Sequence, residues 1–101
     1  MVGFTRVGRI AQNPQAAMAF AVEMTNFLKK KHGIDITCWA RMGGPTGQIV
    51  WQSAFADMTA LDKFTQKLQS DQEYWKKVNE AQGQGLFEAG SAEDGIWNQL
   101  A

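Results

Sequence analysis

One cysteine, one histidine and a formal net charge of zero are the scarcities that first bound what this 101-residue chain can do. A lone Cys38 excludes an intramolecular disulfide and any multi-cysteine metal cluster, and it fits a reducing compartment. With one histidine, His32, and no clustered carboxylates, no closed metal site can be assembled, so neither metal nor cofactor is expected. The balance of 10 basic and 10 acidic residues argues against a dedicated nucleic-acid binder or an electrostatically attached membrane protein. No segment approaches bilayer-spanning length and no apolar run of signal-peptide length opens the chain, so a cytoplasmic protein without a membrane partner is expected. The turn Gly43-Gly44-Pro45-Thr46-Gly47 lacks both a P-loop lysine and the βαβ setting of a dinucleotide fingerprint, which removes phosphate binding from the list of expectations.

What is present is an ordinary globular composition, 45% hydrophobic and 20% charged, at a length that supports one core and not two. Residues 1–101 are therefore read as a single domain. Charge is unevenly spread: residues 1–56 hold six Lys or Arg and two acids, residues 57–101 four and eight. That pattern fits two solvated faces, or a charge-complementary contact between two copies.

The clearest structural signal lies between Ile34 and Ala56. Ile34, Ile36, Cys38, Ala40 and Met42 alternate with Asp35, Thr37, Trp39 and Arg41, the period of two expected of a strand. Ile49, Trp51, Ser53 and Phe55 alternate in the same way with Val50, Gln52, Ala54 and Ala56, and Gly43, Gly44, Pro45 and Gly47 supply the hairpin loop between them. If Met42 lies opposite or diagonal to Ile49, then Cys38, Ala40, Trp51 and Ser53 share one face while Trp39, Arg41 and Gln52 share the other. A slip of one residue would set Trp39 beside Trp51. Both registers fit the pattern.

On either side of the hairpin the chain reads as follows. Gly3–Ala11 is expected to be a strand. Asn13-Pro14 is a helix start in which Asn caps and Pro occupies the first turn. Ala17, Phe20, Met24, Phe27 and Leu28 then recur at helical spacing, Lys29, Lys30 and Lys31 sit at the negative end of the helix dipole, and Gly33 stops the helix. A second helix is expected to start with Thr59 as cap and to carry Leu61, Phe64 and Leu68 on its apolar stripe. A further start at Ser70-Asp71 leads into Tyr74, Trp75 and Val78, as a kinked continuation or a separate short helix. Leu86 and Phe87 return to the core, Ser91–Asp94 turns, and Gly95–Leu100 is a closing strand. The order β-α-β-β-α-β is the ferredoxin-like pattern: an α+β fold with an antiparallel four-stranded sheet and its helices on one face.

In the hairpin GGPTGQIVWQSAFADM, the helix TALDKFTQKLQSDQEYWKKV and the tail LFEAGSAEDGIWNQL, the chain resembles the dimeric α/β-barrel superfamily, which includes small antibiotic-biosynthesis monooxygenases and haem-degrading monooxygenases. The resemblance implies that two sheets pack face to face to close a barrel between protomers, and that each protomer keeps a pocket between helices and sheet. An open sheet face carrying Trp39, Val50, Ala54 and Ala56 would be more apolar than a monomer usually displays, which agrees with such pairing. Trp39, Arg41 and Gln52 are the candidate dimer-face residues; Trp39 and Arg41 could instead stack to grip an anion. The haem-degrading branch needs its histidine on the second helix, whereas His32 ends the first, so no haem site carries over and His32 reads as a helix-end cation.

The candidate pocket residues are Met24, Cys38, Trp51, Ser53, Phe64 and Trp75, with Trp51 and Trp75 as an aromatic wall for a flat ligand and Cys38 and Ser53 as its polar groups. Core filling by the two tryptophans is the simpler account of their spacing. Cys38 has only apolar neighbours on its strand face and reads as a structural thiol. Three functions stay open: a homodimer that binds a small hydrophobic molecule, a cofactor-independent monooxygenase acting on an aromatic substrate, and an assembly dimer without ligand.

Overall fold

Seven elements follow one another in a computed structural model that describes residues 1–44 and 46–101: β1 (Val2–Arg9), α1 (Pro14–His32), β2 (Asp35–Ala40), β3 (Gln48–Phe55), α2 (Met58–Gln69), α3 (Gln72–Gly83) and β4 (Glu93–Asn98). The expected β-α-β-β-α-β order is present, with its second helix broken in two. Pro45 of the expected hairpin loop lies outside the described residues.

The helix ends follow from side chains that satisfy free backbone N–H groups. Asn13 caps α1 by accepting from the Ala16 N–H at 3.2 Å, with Pro14 in the first turn. Asp57, not Thr59, caps α2, its carboxylate accepting from Ala60 N–H at 2.8 Å. Thr59 falls inside the first turn, where its hydroxyl has no free amide to reach. Asp71 caps α3 through Tyr74 N–H at 3.1 Å while its own N–H closes α2 on the Leu68 carbonyl at 3.1 Å, so one residue both ends a helix and begins the next.

The sheet is antiparallel in the order β2-β3-β1-β4, the ferredoxin-like arrangement. Cys38 pairs with Trp51, Trp51 with Arg6 and Arg6 with Asp94, so these four side-chain positions form one row across all four strands on the helix-side face. The adjoining row is Ile36, Ser53, Phe4 and Ile96. Ile49 pairs with Ala40, two positions before Met42, so the first of the two registers is the one adopted. Beyond the end of β2 at Ala40, the Arg41 N–H still reaches the Gln48 carbonyl at 2.9 Å, and its guanidinium folds onto the turn, donating to the Gly43 carbonyl at 2.8 Å and Gln48 Oε1 at 2.9 Å. β4 begins at Glu93 instead of Gly95, since Asp94 is drawn into the sheet opposite Arg6.

α1 lies over β2 and β3, and α2 against β3. The core beneath them has three centres: Met24, Leu28, Ile36 and Tyr74; Val2, Phe55 and Leu61; Ala17, Ala81 and Leu86. The face away from the helices carries Val7, Val50 and two tryptophans, Trp39 and Trp97, that are 58% and 61% exposed. Trp97 lies across Gly95 to donate its indole N–H to Thr5 Oγ1 at 2.9 Å, and a Cβ on Gly95 would stand 2.8 Å from that nitrogen. Among the described residues no helix is long and apolar enough to cross a membrane.

Candidate functional site

The helix-side face of β1 carries Phe4, Arg6 and Gly8, and no helix packs tightly over this strand. The space above it is a cavity of about 610 Å³. Trp51 and Ser53 of β3 form its floor with the β1 residues, Phe20, Met24 and Leu28 of α1 one side, Phe64 and Leu68 of α2 and Tyr74 and Trp75 of α3 another. The segment Phe87–Ala92, running from α3 back to β4, closes the remaining side. It is tied to β1 by Glu88 N–H to the Arg9 carbonyl at 2.8 Å and by Arg9 N–H to Ser91 Oγ at 3.1 Å.

Gly8 shapes the floor. A Cβ there would press on the Phe87 ring at 3.3 Å and touch the Trp51 ring at 3.9 Å, so the bare backbone lets Phe87 settle closest to the sheet beside Trp51, their centroids 5.9 Å apart. The polar groups gather around Arg6. Its Nε and Nη2 donate to the two oxygens of Asp94 at 2.7 and 2.9 Å, a forked pair, and Nη1 reaches the Tyr74 hydroxyl at 3.4 Å. The Arg6 hydrogen bond, working against partial burial, holds the Asp94 carboxyl below the usual carboxylate range. Ser53 Oγ donates to the Phe4 carbonyl at 3.4 Å, and the Trp51 indole N–H is buried without a partner among the described residues.

Five of the six candidate residues line this one cavity: Met24, Trp51, Ser53, Phe64 and Trp75. Cys38 does not. It shares the row of Trp51 but lies on edge strand β2 under α1, away from the opening over β1. Trp75 stands at the rim, 43% exposed, with its N–H donated to the Gln69 carbonyl at 3.1 Å. Arg41 does not stack on Trp39, whose indole N–H goes to Thr37 Oγ1 at 3.0 Å. His32 does more than end the first helix: its Nε2 lies 2.7 Å from Asp71 Oδ2, with the Phe64 ring edge-on at 5.6 Å. Among the described residues no group of three potential metal ligands occurs.

Structures similar to the chain over its whole length include an uncharacterized NIPSNAP domain protein from Burkholderia xenovorans, 14% identical, covering 100% of this chain and 96% of that one with a TM-score of 0.81. SnoaB, a cofactor-independent oxygenase from Streptomyces nogalater, is 13% identical over 99% of this chain and 93% of its own, with a TM-score of 0.72. An antibiotic biosynthesis monooxygenase is 10% identical over 100% of both chains, with a TM-score of 0.71. The chain has their ferredoxin-like fold. No family model and no curated protein matches it.

Within that fold the residues that sequence reasoning missed are Arg6, Gly8, Tyr74 and Phe87. The signal for Arg6 was its parity with Phe4 on β1, but its partner Asp94 sits 88 residues away on a strand expected to begin one residue later. Tyr74 and Phe87 read as ordinary core positions, and nothing local marks them as facing a void.

Proposed function

We propose that this protein binds a small hydrophobic or aromatic molecule in the cavity between helices and sheet, and does so as a homodimer paired through the outer sheet faces. The observation that carries the reading is the cavity itself. At about 610 Å³ it falls within the roughly 300–1,000 Å³ of small-molecule sites, and its walls are aromatic and aliphatic with polar groups confined to a few positions. Close packing is the rule in protein interiors, and side chains of this size could have filled the space had packing been their only role. The pairing is supported by exposed Trp39 and Trp97 on a face that no helix covers, with Gln52 beside them as a further contact.

Native mass spectrometry of the protein purified from its own host tests both halves, reading subunit count and any retained molecule. A dimer retaining one molecule per subunit, lost in Trp51→Ala, is the expected result. A ligand-free monomer would sink the reading, and a ligand-free dimer would shift it to an assembly role. The likeness in fold to SnoaB favours a second reading, a cofactor-independent oxygenase. There the cavity would orient a substrate whose methylene gives up two hydrogens and takes one atom of O₂, the other leaving as water. Oxygen uptake with the retained molecule would separate the two.

A further inference from the structure

Around Arg6 the cavity wall presents hydrogen-bond donors, and the cation there is already neutralised, while the acceptor-bearing Gln82 and Glu88 of the lining lie on α3 and on the outer segment. Among the described residues Arg6 is the only Lys or Arg in the lining, and the fork of Asp94 engages its Nε and Nη2. That leaves the second Nη2 hydrogen and Nη1, whose contact with the Tyr74 hydroxyl at 3.4 Å is at the long limit of a hydrogen bond. Among the described residues the Tyr74 O–H has no acceptor and the Trp51 N–H no partner, and Ser53 gives its proton to a carbonyl at 3.4 Å. The opposing carboxylate, Glu88, lies on the outer segment, 3.9 Å from Arg9 and half exposed.

We propose that the ligand is a neutral, largely apolar molecule bearing a carbonyl-type oxygen, which docks against Arg6 Nη1 and the Tyr74 hydroxyl. This deepens the proposed function and rests on it. A carbonyl oxygen accepts from both donors without bringing a charge into an apolar space. A carboxylate must shed its hydration and then meets a guanidinium whose fork is held by Asp94, with the Asp94 charge opposing it. An amine meets donors at Arg6 and Tyr74 and would have to turn to Gln82 or the half-exposed Glu88 instead.

Four probes of nearly equal shape test this by calorimetric titration: methyl naphthyl ketone, isopropenylnaphthalene, naphthoate and naphthylmethylamine. On the unaltered protein the ketone should bind about 3- to 10-fold more tightly than the alkene, the yield of one or two good hydrogen bonds, and both should exceed the acid and the amine. Tyr74→Phe should erase most of the ketone's advantage and leave the alkene unchanged. Asp94→Asn, which frees the charge of Arg6, should raise naphthoate affinity relative to the ketone. If no naphthalene binds, the cavity reading falls and this one with it. If the alkene binds but the ketone gains nothing, or naphthoate binds tightest, the cavity reading stands and this inference alone is overturned.

Discussion

Asp71 is the residue whose replacement should cost the fold most for its size, and the structure lets the loss be divided. Its side chain is 3% exposed and serves three donors: the Tyr74 N–H at 3.1 Å, Lys31 Nζ at 2.9 Å and His32 Nε2 at 2.7 Å. Through them it starts α3 and pins it to the end of α1. Alanine would delete a helix cap worth about 1 kcal/mol and a hydrogen bond to a buried carboxylate worth about 1.5–3 kcal/mol, and with them the solvent-screened contact with Lys31. Asp71→Ala is therefore expected to lose about 2.5–4 kcal/mol, whereas Asp71→Asn, which keeps the cap, should lose about 1–2 kcal/mol. Urea denaturation at neutral pH with an unchanged m-value reads both. Burial pushes the Asp71 carboxyl up, but Lys31, His32 and the Tyr74 N–H together outweigh it and hold the group well below the usual carboxylate range. A folded-state value lower than the unfolded one means that the stabilisation is complete above pH ~4 and is lost as pH falls from there toward the folded value. The gap between the unaltered protein and Asp71→Asn should accordingly narrow in acid. An alanine variant within 1 kcal/mol of the parent, or an asparagine variant as unstable as the alanine one, would refute this division.

Two further substitutions probe the cavity floor and its polar row. Gly8→Val should displace the Phe87 and Trp51 rings from the sheet and cost about 1–3 kcal/mol, by the contacts its side chain would make at 3.3 and 3.9 Å; a variant as stable as the parent in urea would mean the rings move freely. A double-mutant cycle between Arg6→Leu and Asp94→Ala should return a coupling of no more than about 1 kcal/mol, since the two side chains are 42% and 45% exposed. A coupling above about 2 kcal/mol would mean that the pair is a structural bond and not chiefly a device for setting charge at the cavity.

The fold was legible wherever one local pattern decided it. Alternation from Ile34 to Ala56 marked a hairpin, and Asn13-Pro14 with Gly33 bounded a helix, because capping and pleat geometry depend on neighbours within four residues. The errors fall where distant residues compete. Ser91–Asp94 reads as a turn by composition, yet Glu93 and Asp94 extend β4 because Val7 and Arg6 stand opposite them. Thr59 looked like a cap because it precedes the apolar stripe, but Asp57 sits three residues before a free amide and has the stronger acceptor.

The cavity was legible only in part, and the reason is physical. Met24, Trp51, Ser53, Phe64 and Trp75 could be gathered from strand parity and helical spacing, which fix the side of an element on which a residue lies. Neither says whether the space on that side is filled. Cys38 and Trp51 face the same way in one row, and α1 covers the first while the second borders the opening over β1. What separates them is helix placement, which leaves β1 without a tightly packed partner, and Gly8, which lowers the floor beneath two aromatic rings. The same row explains the chemistry of the opening: Arg6 can keep a charge beside an apolar space because β4 delivers Asp94 to it, and only the pairing of the first strand with the last brings those residues together.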